Sequence, residues 1–290
     1  MRDYVIITDS TTDLPQSFVD DNNIVVIPMK FTIDNKEYLN YLDGREMSNE
    51  AFYNLEREGK IGKTAQLTIY DIMNVYRPYL EKGLDILAVG FSSGLSGTFN
   101  SMRLAREELL VDFPEQKIVL VDSLCASAGE GLFVYYANEY KTQGMTIEEN
   151  EKALLELRPH LCHWFTVQNL DTLRRGGRVS NVTAFVADTL NIKPVLHVDD
   201  AGHLVAMKKT MGRKRSLTAI VDKLEETINK DAPQMIMISH GDCLEDAKFV
   251  AEEVKKRVEV KDLLITCIGP VIGAHSGPGT VAVFFVGSKR

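Results

Sequence analysis

The sequence predicts a two-domain α/β protein, and three observations carry the prediction. In the first half, short and nearly all-apolar β-branched runs alternate with amphipathic stretches, the pattern of a parallel sheet covered by helices. Past residue 160 the texture changes, and an Asp199-Asp200-Ala201-Gly202 turn between two strand-like runs marks an antiparallel pair. The length, 290 residues, suffices for one large or two medium domains with real cores. The expected division is residues 1–160 for a Rossmann-like N-terminal domain with a parallel sheet. Residues 161–290 then form a second α/β domain with a mixed or antiparallel sheet. No Gly/Ser/Pro-rich linker marks that boundary, which rests on texture alone.

Taken in order, residues 4–8, 24–28, 86–90 and 117–121 predict buried strands, because their apolar runs leave no solvent face. Between them, residues 49–57, 69–81, 98–110 and 129–142 carry helical periodicity. Thr68 is a cap for the second of these, and Asp13, ahead of Pro15, marks an earlier helix start. A further helix over 147–158 begins at Thr146 with Glu149 completing a capping box. In the second half, residues 164–167, 193–198 and 203–208 predict strands, followed by helices over 214–229 and 245–258. These interleave with strands at 234–239 and 263–267, and the chain closes on a strand at 280–286. No internal repeat or low-complexity segment interrupts the pattern.

Composition narrows the function classes. Hydrophobic residues make up 44% and charged residues 26%, an ordinary globular balance. No run approaches the roughly 20 apolar residues of a membrane span. The opening stretch contains Asp3 and enters a strand pattern at once, so no signal peptide is expected. The four cysteines, Cys125, Cys162, Cys243 and Cys267, form no Cys-x-x-Cys pair, which argues against zinc or a disulfide framework and for a reducing cytoplasm. A net charge of −8 sets the whole-molecule field against nucleic acid, so an anionic ligand must be held locally.

The most informative segment runs from Gly90 to Thr98, GFSSGLSGT, at a strand-to-helix junction. Ser96 is placed to cap the helix, and helix starts attract anions through unpaired N–H groups. Taken alone, the segment is better explained as a plain Ser/Gly turn that caps a helix. Dinucleotide binding is excluded, because the first strand ends in Thr8-Asp9-Ser10-Thr11-Thr12-Asp13 with no glycine. A hydrolase reading stays open: Gly90–Gly94 fits G-x-S-x-G with Ser92 as nucleophile and His275 downstream. The Asp-Ser pairs Asp9-Ser10 and Asp122-Ser123, each ending a predicted strand, read as scaffolding.

Residues 268–279, IGPVIGAHSGPG, read as a Gly/Pro loop around one histidine. Such backbone permits close approach to a ligand, and His275 can donate to a carboxylate in either tautomer. It is a stronger candidate than His160, His163 or His203. A basic cluster, Arg174, Arg175 and Arg178 around Gly176-Gly177 and then Lys208 to Arg215, stands out against the acidic background. A solvated face is one reading; a phosphate group or an acidic partner fits better than nucleic acid, since no interleaved aromatics are present.

Together and in order, these segments resemble the DegV family over nearly the whole chain. The matching stretches are 7–15, 64–66, 92–101, 121–131, 170–180, 192–196, 212–215 and 268–279. The family pattern near Thr64 is Thr-Ser-Gln-Pro, where this chain has Thr64-Ala65-Gln66-Leu67. The resemblance implies a two-domain fold with one long-chain fatty acid buried between the domains. It implies that Thr64 and Ser96 contact the carboxyl group with His275 close by; Ser93, in the same segment as Ser96, is a further head-group candidate. It also implies an ATP-dependent kinase subunit, which phosphorylates the presented lipid to the acyl phosphate used in phospholipid synthesis. Arg175 and Arg178 match residues that dock or position that partner, and Arg213 is a further phosphate-facing candidate. No cofactor and no turnover by this chain alone are expected. The alternative is an esterase or thioesterase using Ser92 and His275. Phe165, Phe185 and Leu190 are tail-lining candidates that plain core packing explains as well.

Overall fold

A computed structural model describes residues 3–168, 170–180 and 191–290. The chain opens with β1 (Tyr4–Asp9), buried along its whole length as its apolar run requires, and a 3-10 turn at Ser10–Thr12. After α1 (Gln16–Asp21) and β2 (Val25–Ile27) comes a hairpin, β3 (Met29–Ile33) and β4 (Lys36–Asn40). It turns on Asp34 and Asn35, both in the left-handed region that Asp and Asn tolerate. α2 (Asn49–Arg57) follows, and the two-residue β5 (Lys63–Thr64) pairs back on β3 with Thr64 opposite Phe31.

α3 (Ile69–Glu81) starts at a Thr68–Asp71 capping box, and β6 (Asp85–Gly90), α4 (Thr98–Asp112), β7 (Ile118–Asp122) and α5 (Ala128–Thr142) follow. α6 (Ile147–Leu157) begins at the Thr146–Glu149 capping box that the sequence predicts. The second half supplies β8 (Leu161–Thr166), α7 (Asp171–Gly176), β9 (Val179–Ser180), β10 (Ile192–Val198) and β11 (Leu204–Met211). α8 (Arg213–Thr227), β12 (Gln234–His240), α9 (Leu244–Arg257), β13 (Val260–Cys267), α10 (Pro270–Ser276) and β14 (Val281–Val286) complete it.

The fold is α/β with a parallel and a mixed sheet. The parallel sheet has order β2-β1-β6-β7, and a seven-stranded mixed sheet has order β13-β12-β14-β8-β10-β11-β9. Every strand of the mixed sheet comes from residues after 160. β4-β3-β5 form a third, antiparallel sheet. α5 packs on strands of both large sheets, β1 and β6 on one side and β8, β12 and β14 on the other. That double contact explains why its first seven residues, including Glu130, are all buried. One apolar cluster, with Leu87, Phe133, Phe165 and Phe284, runs through α5 from sheet to sheet. No helix of the described residues is long and apolar enough to cross a membrane.

Three local expectations change. The β3–β4 hairpin and β5 stand where no strand was read. The expected Gly/Pro loop at 268–279 folds in part as α10, with Pro270 at its first position and Gly277 just past its end. Asp13 does not cap α1, whose start at Pro15 has no side-chain cap; its left-handed backbone turns the carboxylate inward instead.

Candidate functional site

The strands β1, β6 and β7 end in the loops that carry Thr11, Phe91 and Ala126, and these line a cavity of about 280 Å³. That is where open α/β sheets gather ligands, outside the carboxyl ends of parallel strands. The opposite wall is the mixed sheet, through Phe165, Val198, Ala282 and Phe284, and α10 closes one side with Val271 and His275. The lining is mainly apolar, with polar side chains grouped at a few positions, the composition of a site that binds an apolar body and orients a polar end.

At one such group, β5 and α10 bring Thr64 Oγ1 to 2.8 Å from His275 Nε2. Burial, with help from Arg178 and Arg175, pushes the imidazole down to about 4, so His275 is neutral at pH 7. Its Nδ1 is buried without a partner against the Gly176 backbone. A proton on Nδ1 would be an orphaned buried N–H, which folded proteins avoid more strictly than an unpaired acceptor. The proton therefore belongs on Nε2, donated to Thr64 Oγ1, and the Thr64 hydroxyl hydrogen is left to donate elsewhere.

Ser96 and Gly97 line the cavity at the start of α4. The cap position is Gly97, not Ser96; Ser96 Oγ accepts the Thr98 N–H at 3.2 Å from one residue further out. Glycine at the cap lets Gln66 pack close, since a Cβ on residue 97 would lie 2.1 Å from Gln66 Oε1. Arg178 also lines the cavity, its guanidinium donating to the Gly176 carbonyl and, at 3.4 Å, to the Leu95 carbonyl. Arg175 faces a neighbouring pocket with Glu56 and Thr172, and Ser276 lines both that pocket and the cavity.

Other expected residues are not brought together. Ser93 is exposed, its backbone N–H on Asp122 Oδ1 at 3.2 Å, and it does not line the cavity. Arg213 pairs with Asp246 at 2.8 Å and donates to the Gly279 carbonyl at 2.6 Å, away from Thr64 and His275. Ser92 is fully buried, donates to the Gly202 carbonyl at 2.9 Å and accepts the Gly94 N–H at 3.2 Å. Its hydroxyl is thus committed to joining two loops and, among the described residues, bonds no base, while the nominated His275 is paired with Thr64. That geometry overturns the hydrolase reading. Phe165 lines the cavity, whereas Phe185 and Leu190 lie outside the described residues.

Sequence reasoning missed a second polar group. Ser127 and Ser239, both buried, meet at 2.9 Å on the cavity wall, and Ser127 also bonds Asp13 Oδ2 at 2.5 Å. Asp13 Oδ1 accepts the Gly269 N–H at 2.8 Å, and burial pushes its carboxyl up to about 8. Nearby, Thr11 donates to Glu130 Oε2 at 2.7 Å, and burial raises the Asp9 and Glu130 carboxyls as well. Asp9, read as scaffolding, and Asp13, read as a helix start, are therefore interior acids, and Asp9 does cap the 3-10 turn by accepting the Thr11 N–H at 2.9 Å. Only the run of polar residues directly after a buried strand could have signalled this. Among the described residues no His/Cys/Asp/Glu group could hold a metal ion.

Comparison with known proteins places this geometry. The profile of the DegV family, described as uncharacterised protein of that family, matches residues 3–288. A DegV domain-containing protein of Clostridium perfringens is 44% identical, with 100% of this chain and 99% of the relative covered. Among solved structures, a DegV lipid-binding protein from Thermotoga maritima is 32% identical, with 99% of each chain covered and a TM-score of 0.88. A second, from Thermus thermophilus and described by its fatty acid binding, is 29% identical, with 99% of this chain and 100% of that one covered and a TM-score of 0.88. DegV of Bacillus subtilis, described as a fatty acid binding protein, is 27% identical over 99% of this chain and 100% of its own, with a TM-score of 0.83. Agreement in sequence and in fold over essentially the whole length makes this chain a member of the DegV family.

Proposed function

We propose that this protein encloses one long-chain fatty acid in the cavity lined by Thr64 and His275 and presents its carboxylate to a separate ATP-dependent kinase subunit. The observation that carries the reading is the cavity itself, with an apolar wall and the Thr64–His275 pair at one edge. A tail of about fifteen methylenes at ~0.8 kcal/mol each contributes on the order of 12 kcal/mol before ordering costs, so the tail supplies affinity and the polar groups supply orientation. The fatty acids named for the Thermus and Bacillus proteins support the same ligand class here.

The Thr64 hydroxyl, oriented by neutral His275, donates to one carboxylate oxygen, and Ser96 at the start of α4 favours the negative charge. Neutral donors leave the carboxylate nucleophilic where a tight ion pair would mask it. In the partner's active site a carboxylate oxygen attacks the terminal phosphorus of ATP, the bond to ADP breaks, and an acyl phosphate forms. Arg175 and Arg178 meet the phosphate or the partner, and residues 1–160 and 161–290 act as the two halves that hold the lipid. Four free cysteines fit work in the reducing cytoplasm.

Mass spectrometry of an organic extract of the purified protein tests the ligand, with a fatty acid expected. No lipid in the extract and no stabilisation by oleate or palmitate would overturn the reading. Kinase dependence is tested by adding ATP with and without a kinase subunit; acyl phosphate is expected only with it.

A further inference from the structure

His163 is a further polar group in the wall of the same cavity, and nothing in the head-group chemistry uses it. It is 1% exposed, lines the cavity, and neither ring nitrogen has a hydrogen-bond partner. The Leu161 carbonyl, which favours a proton on the ring, lies outside hydrogen-bond geometry. Burial pushes the imidazole well below its usual range, so the ring is neutral, with one nitrogen a donor and the other an acceptor. Both capacities are unmet in a wall where the adjoining side chains on β8 and β14, Phe165, Ala282 and Phe284, are apolar, a state that buried polar groups rarely keep without a ligand or an ordered water.

Position separates this ring from the carboxylate end. His163 on β8 is paired with Phe284 on β14, and their rings pack edge-on with centroids 5.2 Å apart. Thr280 lines the cavity and donates to the carbonyl of Ser276, the residue after His275 at the end of α10, and it stands four residues before Phe284, roughly 13 Å away at about 3.3 Å per strand residue. An acyl chain with its head at Thr64 and His275 therefore passes His163 near its middle. α5 leaves room for the ring by carrying glycine, since a Cβ on residue 129 would lie 2.2 Å from His163 Nε2. Ser239 adds a buried hydroxyl to the same sheet face. It is opposite Ala282, which neighbours Phe165, two residues along β8 from His163.

We propose that His163, with Ser239 nearby, forms a second subsite that recognises a hydroxyl on the acyl chain, so that the cavity prefers mid-chain hydroxylated fatty acids to plain ones. The inference rests on the fatty acid reading of the cavity and adds a selectivity to it. A ligand hydroxyl satisfies both states of the ring, donating to its bare nitrogen or accepting from its N–H. A plain methylene at that point leaves both unmet.

Calorimetric titration of the delipidated protein with oleate and with ricinoleate, its mid-chain hydroxylated counterpart, tests this, with α-hydroxystearate against stearate as the head-end control. Ricinoleate is expected to bind roughly five- to tenfold tighter than oleate, the worth of one neutral hydrogen bond. His163→Phe is expected to abolish or reverse that preference, read as the ratio of the ricinoleate and oleate affinities within the one variant, and the head-end hydroxyl is expected to bring no gain. Equal or weaker binding of ricinoleate by the wild type, or a preference that survives His163→Phe, overturns the subsite. Should the variant misfold, nitrogen NMR of the His163 ring in the wild type decides: ricinoleate alone must shift its signals, and a shift with both lipids or neither overturns it. Failure to bind any of these lipids would sink the fatty acid reading itself; oleate bound without discrimination sinks this inference alone.

Discussion

Thr64 and His275 are 211 positions apart in sequence and 2.8 Å apart in the fold, and their hydrogen bond ties the short strand β5 to helix α10 at the edge of the cavity. The pair works as a unit. His275 fixes the hydroxyl rotor, and the hydroxyl meets the ligand.

That coupling predicts non-additive losses. Thr64→Val keeps the shape and removes the donor, and should lower palmitate affinity roughly five- to twentyfold, about 1–2 kcal/mol. His275→Ala should cost a similar amount through the freed rotor, and Thr64→Ser should bind nearly as the wild type does. The double variant should be little worse than either single one, since each removes the same interaction. Titration calorimetry checks this; losses that simply add would show that the two residues act separately.

Asp13 sets a pH dependence of defined sign. Its folded value, pushed up to about 8 by burial, stands above the unfolded value near 4. The folded state then holds the extra proton between those values, so this contribution is fully present below about pH 4 and is lost as pH rises toward 8. The slope is about 1.4 kcal/mol per pH unit inside that window. Asp13→Asn mimics the protonated acid toward Ser127 and the Gly269 N–H, and should remove that slope. Urea melts of both proteins from pH 5 to 7.5 measure the difference, and parallel curves would refute a protonated Asp13.

The sequence made the outline legible because period and capping are local. All-apolar runs located the parallel sheet, and Thr146 with Glu149 located a helix start to the residue. What it hid depends on contacts far along the chain. β5 is two residues long and exists only because β3 is there to pair with it, yet it carries Thr64. α10 disappears behind its own glycines, although Pro270 at its start and Gly277 past its end are ordinary helix punctuation. The literal G-x-S-x-G around Ser92 misled because five residues say nothing of where a hydroxyl points. Asp13, by contrast, reads as a helix start ahead of Pro15 because its partners, Ser127 and Gly269, are 114 and 256 positions away.

Ser92 gives a direct check on that last contrast. With its hydroxyl committed to the Gly202 carbonyl and the Gly94 N–H, Ser92→Ala should cost about 1–3 kcal/mol of stability by leaving buried groups unpaired. Palmitate affinity should stay within about twofold, the small change expected of a residue off the cavity wall. A fluorophosphonate probe should label neither the wild type nor the variant. Labelling of the wild type that Ser92→Ala abolishes would restore a nucleophilic role.

The adjacent glycines 176 and 177 separate site geometry from backbone strain. Gly176 ends α7 in an ordinary helical conformation, and a Cβ there would lie 2.5 Å from His275 Nδ1, so the ring must move. Gly176→Ala should therefore break the Thr64–His275 bond and lower palmitate affinity to the level of His275→Ala, although residue 176 itself offers the ligand no polar side chain. Gly177 has open space around it but sits at φ 66°, so Gly177→Ala strains the backbone and touches nothing. It should cost about 1 kcal/mol of stability and leave lipid affinity unchanged. Urea melts and palmitate titrations of both variants read the two effects separately. If Gly177→Ala weakened lipid binding as much as Gly176→Ala, the loss would come from the loop as a whole and not from the position of His275.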